Sequence, residues 1–156
     1  MKIYLATDHA GYELKEKLKI YLSLLGYEIE DMGPYNYVAT DDYPDYIRPL
    51  AERVASEKGA FGIISGKSGQ GEAMCANRVK GVRAAVFYGQ ELPDVGEKKS
   101  DSFEIIKLAR EHNDANVLSL GGNFISEDEA KFAVELFLST KFSEDERHIR
   151  RIKKLD

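Results

Sequence analysis

A chain of 156 residues, 43% hydrophobic and 31% charged, is long enough for one domain with a buried core and too short for two comfortable ones. Its formal net charge of -5 argues against nucleic acid as the main partner, and no apolar run approaches the length of a membrane span. The N-terminus turns polar too soon for a secretory signal, and a single cysteine, Cys75, leaves no internal disulfide, which fits a reducing cytoplasm.

Lys2 to Ala6 reads as a first strand, short and apolar. Thr7-Asp8-His9-Ala10-Gly11 follows at its C-terminal end, where open α/β sheets bind ligands, and this makes Asp8 and His9 site candidates. Taken alone, the pair serves as well as a helix N-cap and a satisfied turn residue. Tyr12 to Leu25 predicts an amphipathic helix with Leu14, Leu18, Tyr21, Leu22 and Leu25 on one stripe, capped by Gly26. Tyr27 to Glu30 is a second, edge-like strand, and Met32 to Asp41 a loop. The next helix starts in Asp42-Tyr43-Pro44-Asp45-Tyr46 and runs to about Lys58, where Gly59 ends it. Pro49 is expected to kink that helix or delay its regular part.

Phe61 to Ile64 is a short apolar run typical of a buried parallel strand. The chain then turns through Gly66, Ser68, Gly69 and Gly71, and a helix is expected from Glu72 to Arg78. Strand, glycine loop and helix N-terminus together bring unpaired amides to one place, a site for a bound anion or a reaction oxyanion. Glu72 there is either a dipole-stabilising carboxylate or a general base beside an anion hole, a pairing suited to removing a proton next to a carbonyl. The loop fits neither the P-loop spacing nor the dinucleotide G-x-G-x-x-G. Cys75, between Met74 and Ala76, reads as packed and inert.

Val82 to Tyr88 makes a fourth strand, Gln90 to Ser102 a polar surface loop, and Phe103 to Glu111 a helix ended by His112-Asn113-Asp114. Ala115 to Leu120 is a fifth strand closed by Gly121-Gly122-Asn123. Ser126 with Glu129 forms a capping box for a helix to about Ser139, and Ser143 with Glu146 a second one for a last helix, Ser143 to Leu155. Arg147 and Arg151, four apart, share a face of that helix; they form a fork for a phosphate or simply a solvated basic end. Alternating strands and helices of this length imply one α/β domain, 1–156, around a mostly parallel sheet of about five strands, with no repeat or linker.

Five stretches together resemble the family of type B ribose-5-phosphate isomerases and galactose-6-phosphate isomerases: T-D-H-A-G-Y-E-L-K at 7–15, D-D-Y-P-D-Y at 41–46, S-G-Q-G-E at 68–72 with A-N-R-V-K-G-V-R-A at 76–84, R-E-H-N-D-A-N-V-L at 110–118, and R-H-I-R-R at 147–151. The likeness spans nearly the whole chain, apart from about ten extra residues near Leu92 to Asp101 that read as a loop insertion. It implies a Rossmann-like three-layer sandwich and interconversion of aldose and ketose phosphates through an enediolate, without metal or organic cofactor. It also implies a homodimer or dimer of dimers, with active sites between two subunits and the C-terminal helix, about 143–155, extending to the partner.

Residue by residue, the resemblance implies that Glu72 shuttles the proton between C1 and C2. Ser68 and the amides from Gly69 through Gln70 to Gly71 would hold the enediolate oxygens. His112 with Asp8 would open the sugar ring, and Asn113 and Tyr43 would touch the sugar. His9, Arg147 and Arg151 would bind the phosphate, the arginines from a different subunit than Glu72. Many members use a cysteine base at the position of Gly66, and many carry an arginine where this chain has Asn123, which weakens the phosphate site and leaves Lys67 as a candidate for the missing charge. Ribose 5-phosphate is the leading substrate; a hexose 6-phosphate such as galactose or allose 6-phosphate, or a sugar-phosphate-binding protein without turnover, are the alternatives.

Overall fold

The computed structural model describes residues 1–89 and 101–155. Five strands form one sheet: β1 (Lys2–Thr7), β2 (Glu28–Asp31), β3 (Phe61–Gly66), β4 (Ala84–Phe87) and β5 (Val117–Gly121), in the order β2-β1-β3-β5-β4. Every pairing is parallel, so "mostly parallel" becomes wholly parallel. The helices are α1 (Tyr12–Leu24), α2 (Pro44–Ser56), α3 (Gln70–Ala76), α4 (Glu104–Asn113), α5 (Glu127–Ser139) and α6 (Glu146–Ile152).

The side-chain alternation of β1 shows why there are three layers. Ile3 and Leu5 point into one core with Leu18, Leu22, Ile106, Val134 and Phe137 of α1, α4 and α5. Tyr4 and Ala6 point into the other, with Ile47, Leu50 and Val54 of α2 and Ala76 of α3. A strand covered on both faces has a continuous apolar run, as residues 3–6 of β1 and 61–64 of β3 show.

Most differences from the expected elements are a residue or two at the ends; three have a cause in the backbone. The last helix does not start at Ser143, because Glu144 takes a left-handed φ of 58°. Asp145 stands at the N-cap without a side-chain cap bond, so the second capping box does not form, whereas the Ser126–Glu129 box does. Pro49 lies inside a continuous α2; its missing N–H falls in the first two turns of that helix. His112 and Asn113 belong to the last turn of α4, which closes on Asp114 at φ 45° rather than at His112. The third helix begins two residues before Glu72. The loop assigned to Gln90–Ser102 lies outside the described residues except for its last two positions.

Candidate active site

The order β2-β1-β3-β5-β4 reverses direction between β1 and β3, and a crevice opens beyond the C-terminal ends of strands at such a reversal. Three loops meet there and are sewn together by hydrogen bonds. Thr7 Oγ1 donates to Ser65 O at 2.6 Å, tying the end of β1 to the end of β3. Gly122 N–H donates to Gly66 O at 2.9 Å and Asn123 N–H to Lys67 O at 3.2 Å, tying the loop after β5 to the loop after β3. Ser119 Oγ, fully buried, donates to Gly69 O at 2.6 Å. Gly69 itself is the N-cap of α3 at φ 74°, a conformation in which glycine has no steric penalty.

Glu72 lies in the first turn of α3 and is 5% exposed. Its carboxyl group fills the space beside Gly66: a Cβ added to Gly66 would overlap it. Burial pushes this carboxyl's pKa up, the Asp8 charge adds to the rise, and the residue's own backbone N–H opposes it. Both sequence readings of Glu72 are thus compatible with one position: a helix-start carboxylate that is also desolvated, packed against Gly66 at the end of β3. Asp8 does cap the short 3-10 turn His9–Gly11, its Oδ1 accepting from Ala10 N–H at 3.0 Å, and it is close enough to influence Glu72.

The same edge holds more of the candidates. Ser68 Oγ accepts from Gln70 N–H at 3.4 Å. Ser68 and Gln70 line a cleft of about 200 Å³ with Tyr88 and Phe124. The Tyr43 phenol lies over Gly71, where an added Cβ would stand 3.1 Å from its oxygen. His9 sits on the Asp41 carboxylate, and Asn123 lines a hollow of about 240 Å³ with Ala10, Lys17 and Glu127. Asp8, His9, Tyr43, Ser68 to Glu72 and Asn123 are therefore brought to one end of the sheet.

The remaining candidates are not. His112 and Asn113 precede β5, so they lie at the other end of the sheet from Gly121. Five residues of β5 at about 3.3 Å each put roughly 16 Å between the two ends. There α6 packs on α4, and the rings of His112 and His148 stack at 4.3 Å with planes 10° apart. His148 is buried, and burial lowers its pKa, with His112 and Arg147 acting in the same direction. Arg147 and Arg151 stand exposed on α6, Arg147 paired only loosely with Asp145 at 3.4 Å. Asn113 lines a cavity of about 380 Å³ with Asn77, Arg83 and Leu155. The candidate residues thus fall into two groups at opposite ends of the sheet.

Sequence reasoning gave no role to Asp41 or His148. Both lie in stretches that carry the family resemblance, 41–46 and 147–151, but only the fold shows one against His9 and the other against His112.

The family model for ribose/galactose isomerases matches residues 3–155. The chain belongs to this family. Ribose-5-phosphate isomerase B of Mycobacterium tuberculosis is 39% identical over 152 residues, which is 97% of this chain and 86% of that protein. Among solved structures, ribose 5-phosphate isomerase from Thermotoga maritima superposes with a TM-score of 0.85 at 41% identity, covering 99% of this chain and 97% of the other. Ribose-5-phosphate isomerase B from Mycoplasma genitalium with bound ribulose-5-phosphate gives a TM-score of 0.86 at 34% identity, covering 99% and 93%. Among the described residues, no helix is long and apolar enough to cross a membrane.

Proposed function

We propose that this family member is an aldose–ketose isomerase of phosphorylated sugars, with ribose 5-phosphate and ribulose 5-phosphate as its substrate pair. The observation that carries the reading is the desolvated Glu72 carboxyl, set beside a glycine loop at the reversal point of the sheet. Relatives at this similarity are ribose-5-phosphate isomerases, one of them solved with ribulose-5-phosphate.

In the open-chain aldose, Glu72 takes the proton from C2. The electron pair moves into a C1–C2 double bond, and the C1 carbonyl oxygen becomes an oxyanion held by Ser68 and the amides of Gly69 to Gly71. The same carboxyl returns the proton to C1, and the hydroxyl proton on O2 passes to O1, leaving the carbonyl at C2. A base for this work is best poised near the operating pH, and burial moves Glu72 in that direction. Asp8 and His112 serve ring opening, Tyr43 and Asn113 hold the sugar, and His9, Arg147 and Arg151 hold the phosphate.

Because Glu72 and Arg151 lie at opposite ends of one sheet, the complete site takes α6 and the end of α4 from a second copy of the chain, in a homodimer. A coupled isomerisation assay with a small panel of pentose and hexose phosphates tests the reading. Ribose 5-phosphate should be turned over, and Glu72→Gln should lower kcat about 10²–10⁴-fold with a modest change in KM. Sugar phosphate binding without turnover by the parent protein would leave only the fold and sink the isomerase.

A further inference from the structure

We infer that Asp41 is a positioning residue for phosphate capture: it orients the His9 ring so that Nε2 faces outward, and it holds that ring as the imidazolium. The inference deepens the proposed function and rests on His9 meeting the substrate phosphate.

The geometry is a two-point grip. Asp41 Oδ1 accepts the His9 backbone N–H at 2.9 Å and lies 2.8 Å from His9 Nδ1. The Asp41 side chain is 5% exposed and that of His9 36%, so the carboxylate is inside and the far edge of the ring outside. The carboxylate accepts from Nδ1–H, which commits the Nδ1 proton to Asp41. In a neutral imidazole that assignment leaves Nε2 a bare acceptor, which repels phosphate oxygens. Only the cation carries a second proton and offers a donor at Nε2.

Burial strengthens the case. Asp41 Oδ2 is buried and makes no hydrogen bond among the described residues. A desolvated carboxylate is costly unless a positive charge stands opposite, and His9 is the ion partner placed there. The Asp41 hydrogen bond raises the pKa of His9 above its usual value, partly offset by burial and helped by the Asp8 charge. Tyr46 of α2 is a second polar neighbour of this carboxylate: burial first, then the Asp41 charge and a hydrogen-bonding contact with Asp41, push its phenol's pKa up. Glu13, Lys17 and Glu127 surround the hollow that starts at Ala10, and there Lys17 is already paired with Glu127 at 3.1 Å. With the uncharged Asn123 lining the same hollow, His9 carries more of the work of neutralising a dianion on this side of the site.

The chain has three histidines, so proton NMR resolves three ring Cε1–H signals, and His9→Asn assigns the one of interest. Its midpoint in the parent should lie above the ordinary value of about 6.5. In Asp41→Asn, which keeps an acceptor of the same shape, the midpoint should fall by about 1 pH unit. Inorganic phosphate should shift the His9 signal. Phosphate competition with substrate should weaken about tenfold in Asp41→Asn at pH near 8 and stay close to the parental value at pH near 6, with the loss greater in KM than in kcat. A parental midpoint at or below about 6.5 overturns the inference without any variant, should Asp41→Asn fail to fold. So does an unchanged midpoint in Asp41→Asn, or competition lost equally at both pH values. A His9 signal that phosphate leaves unmoved also overturns it and faults the phosphate site, while Glu72→Gln turnover reads the isomerase chemistry separately.

Discussion

At the scale of single residues, Gly66 and Glu72 act as one unit. The space that a side chain at 66 would take is filled by the Glu72 carboxyl. Gly66→Ala should therefore displace the carboxyl and lower kcat by about the same 10²–10⁴-fold as Glu72→Gln, although alanine adds no charge and removes none. Gly66→Cys combined with Glu72→Ala places a thiol in the vacated space and should recover part of the lost turnover; a double variant no better than Glu72→Ala alone would show that a base at position 66 cannot stand in for the Glu72 carboxyl. Glu72 also links function to stability. Its pKa is raised in the folded chain, so the folded state binds this proton more tightly than the unfolded one. The contribution to stability is complete below the unfolded value of about 4.3 and is lost as pH rises through the raised folded value. Glu72→Gln keeps the shape without the charge, so its Tm should exceed the parent's at pH near 8 and match it at pH near 4. A thermal melt series across that range checks the sign, and a Gln variant less stable than the parent at pH near 8 would mean the carboxylate is better solvated than its burial indicates.

At the scale of elements, the decisive part is the junction of β3 and α3, held from below by β5. Gly69 has φ 74°, and a Cβ there would stand 3.0 Å from the Leu120 carbonyl carbon. Gly69→Ala should cost about 1–2 kcal/mol for the left-handed backbone, lowering Tm by roughly 2–8 °C. It should lower kcat more than it weakens substrate binding, because the amides it moves are those proposed to face the oxyanion; a variant that loses only affinity would place those amides on the phosphate instead. This junction was legible in the sequence. A short apolar run with glycines after it and helix formers beyond can be read locally, and so can the Ser126–Glu129 box. What was not legible has non-local causes. The left-handed Glu144 that delays α6 leaves no mark in residue type, and the side chain that meets Gly66 comes from six positions later on another element. Asp41 looks like any acid in a loop until the fold sets it against His9, 32 residues away. The family resemblance already assigned Arg147 and Arg151 to a different subunit from Glu72; that His112 also lies far from Glu72 within one chain emerges only from the strand order.

At the scale of the whole molecule, that separation has a consequence for how activity can be lost and regained. On the proposed reading, the half-site at the C-terminal ends of the strands has the base Glu72, and the half-site on α4 and α6 has His112 and the arginine fork. In a symmetric dimer each half-site of one chain faces the complementary half-site of its partner, so each dimer has two composite sites. Glu72→Gln spoils the first half-site and leaves the second intact. Arg147→Ala with Arg151→Ala does the reverse. Each variant alone should form dimers in which both sites are defective. Mixed dimers concentrate both defects in one site and leave the other wholly parental. If the two variants are co-expressed in equal amounts and assort at random, half of the dimers are mixed, and kcat/KM for ribose 5-phosphate should return to about a quarter of the parental value. Different affinity tags on the two variants allow the mixed species to be purified, where the expected figure rises to about half. Sedimentation of the same samples fixes the assembly being assayed. A purified mixed dimer no more active than the variants it came from would show that Glu72 and the α6 arginines act within one chain, and a fully active monomer would remove the shared site altogether.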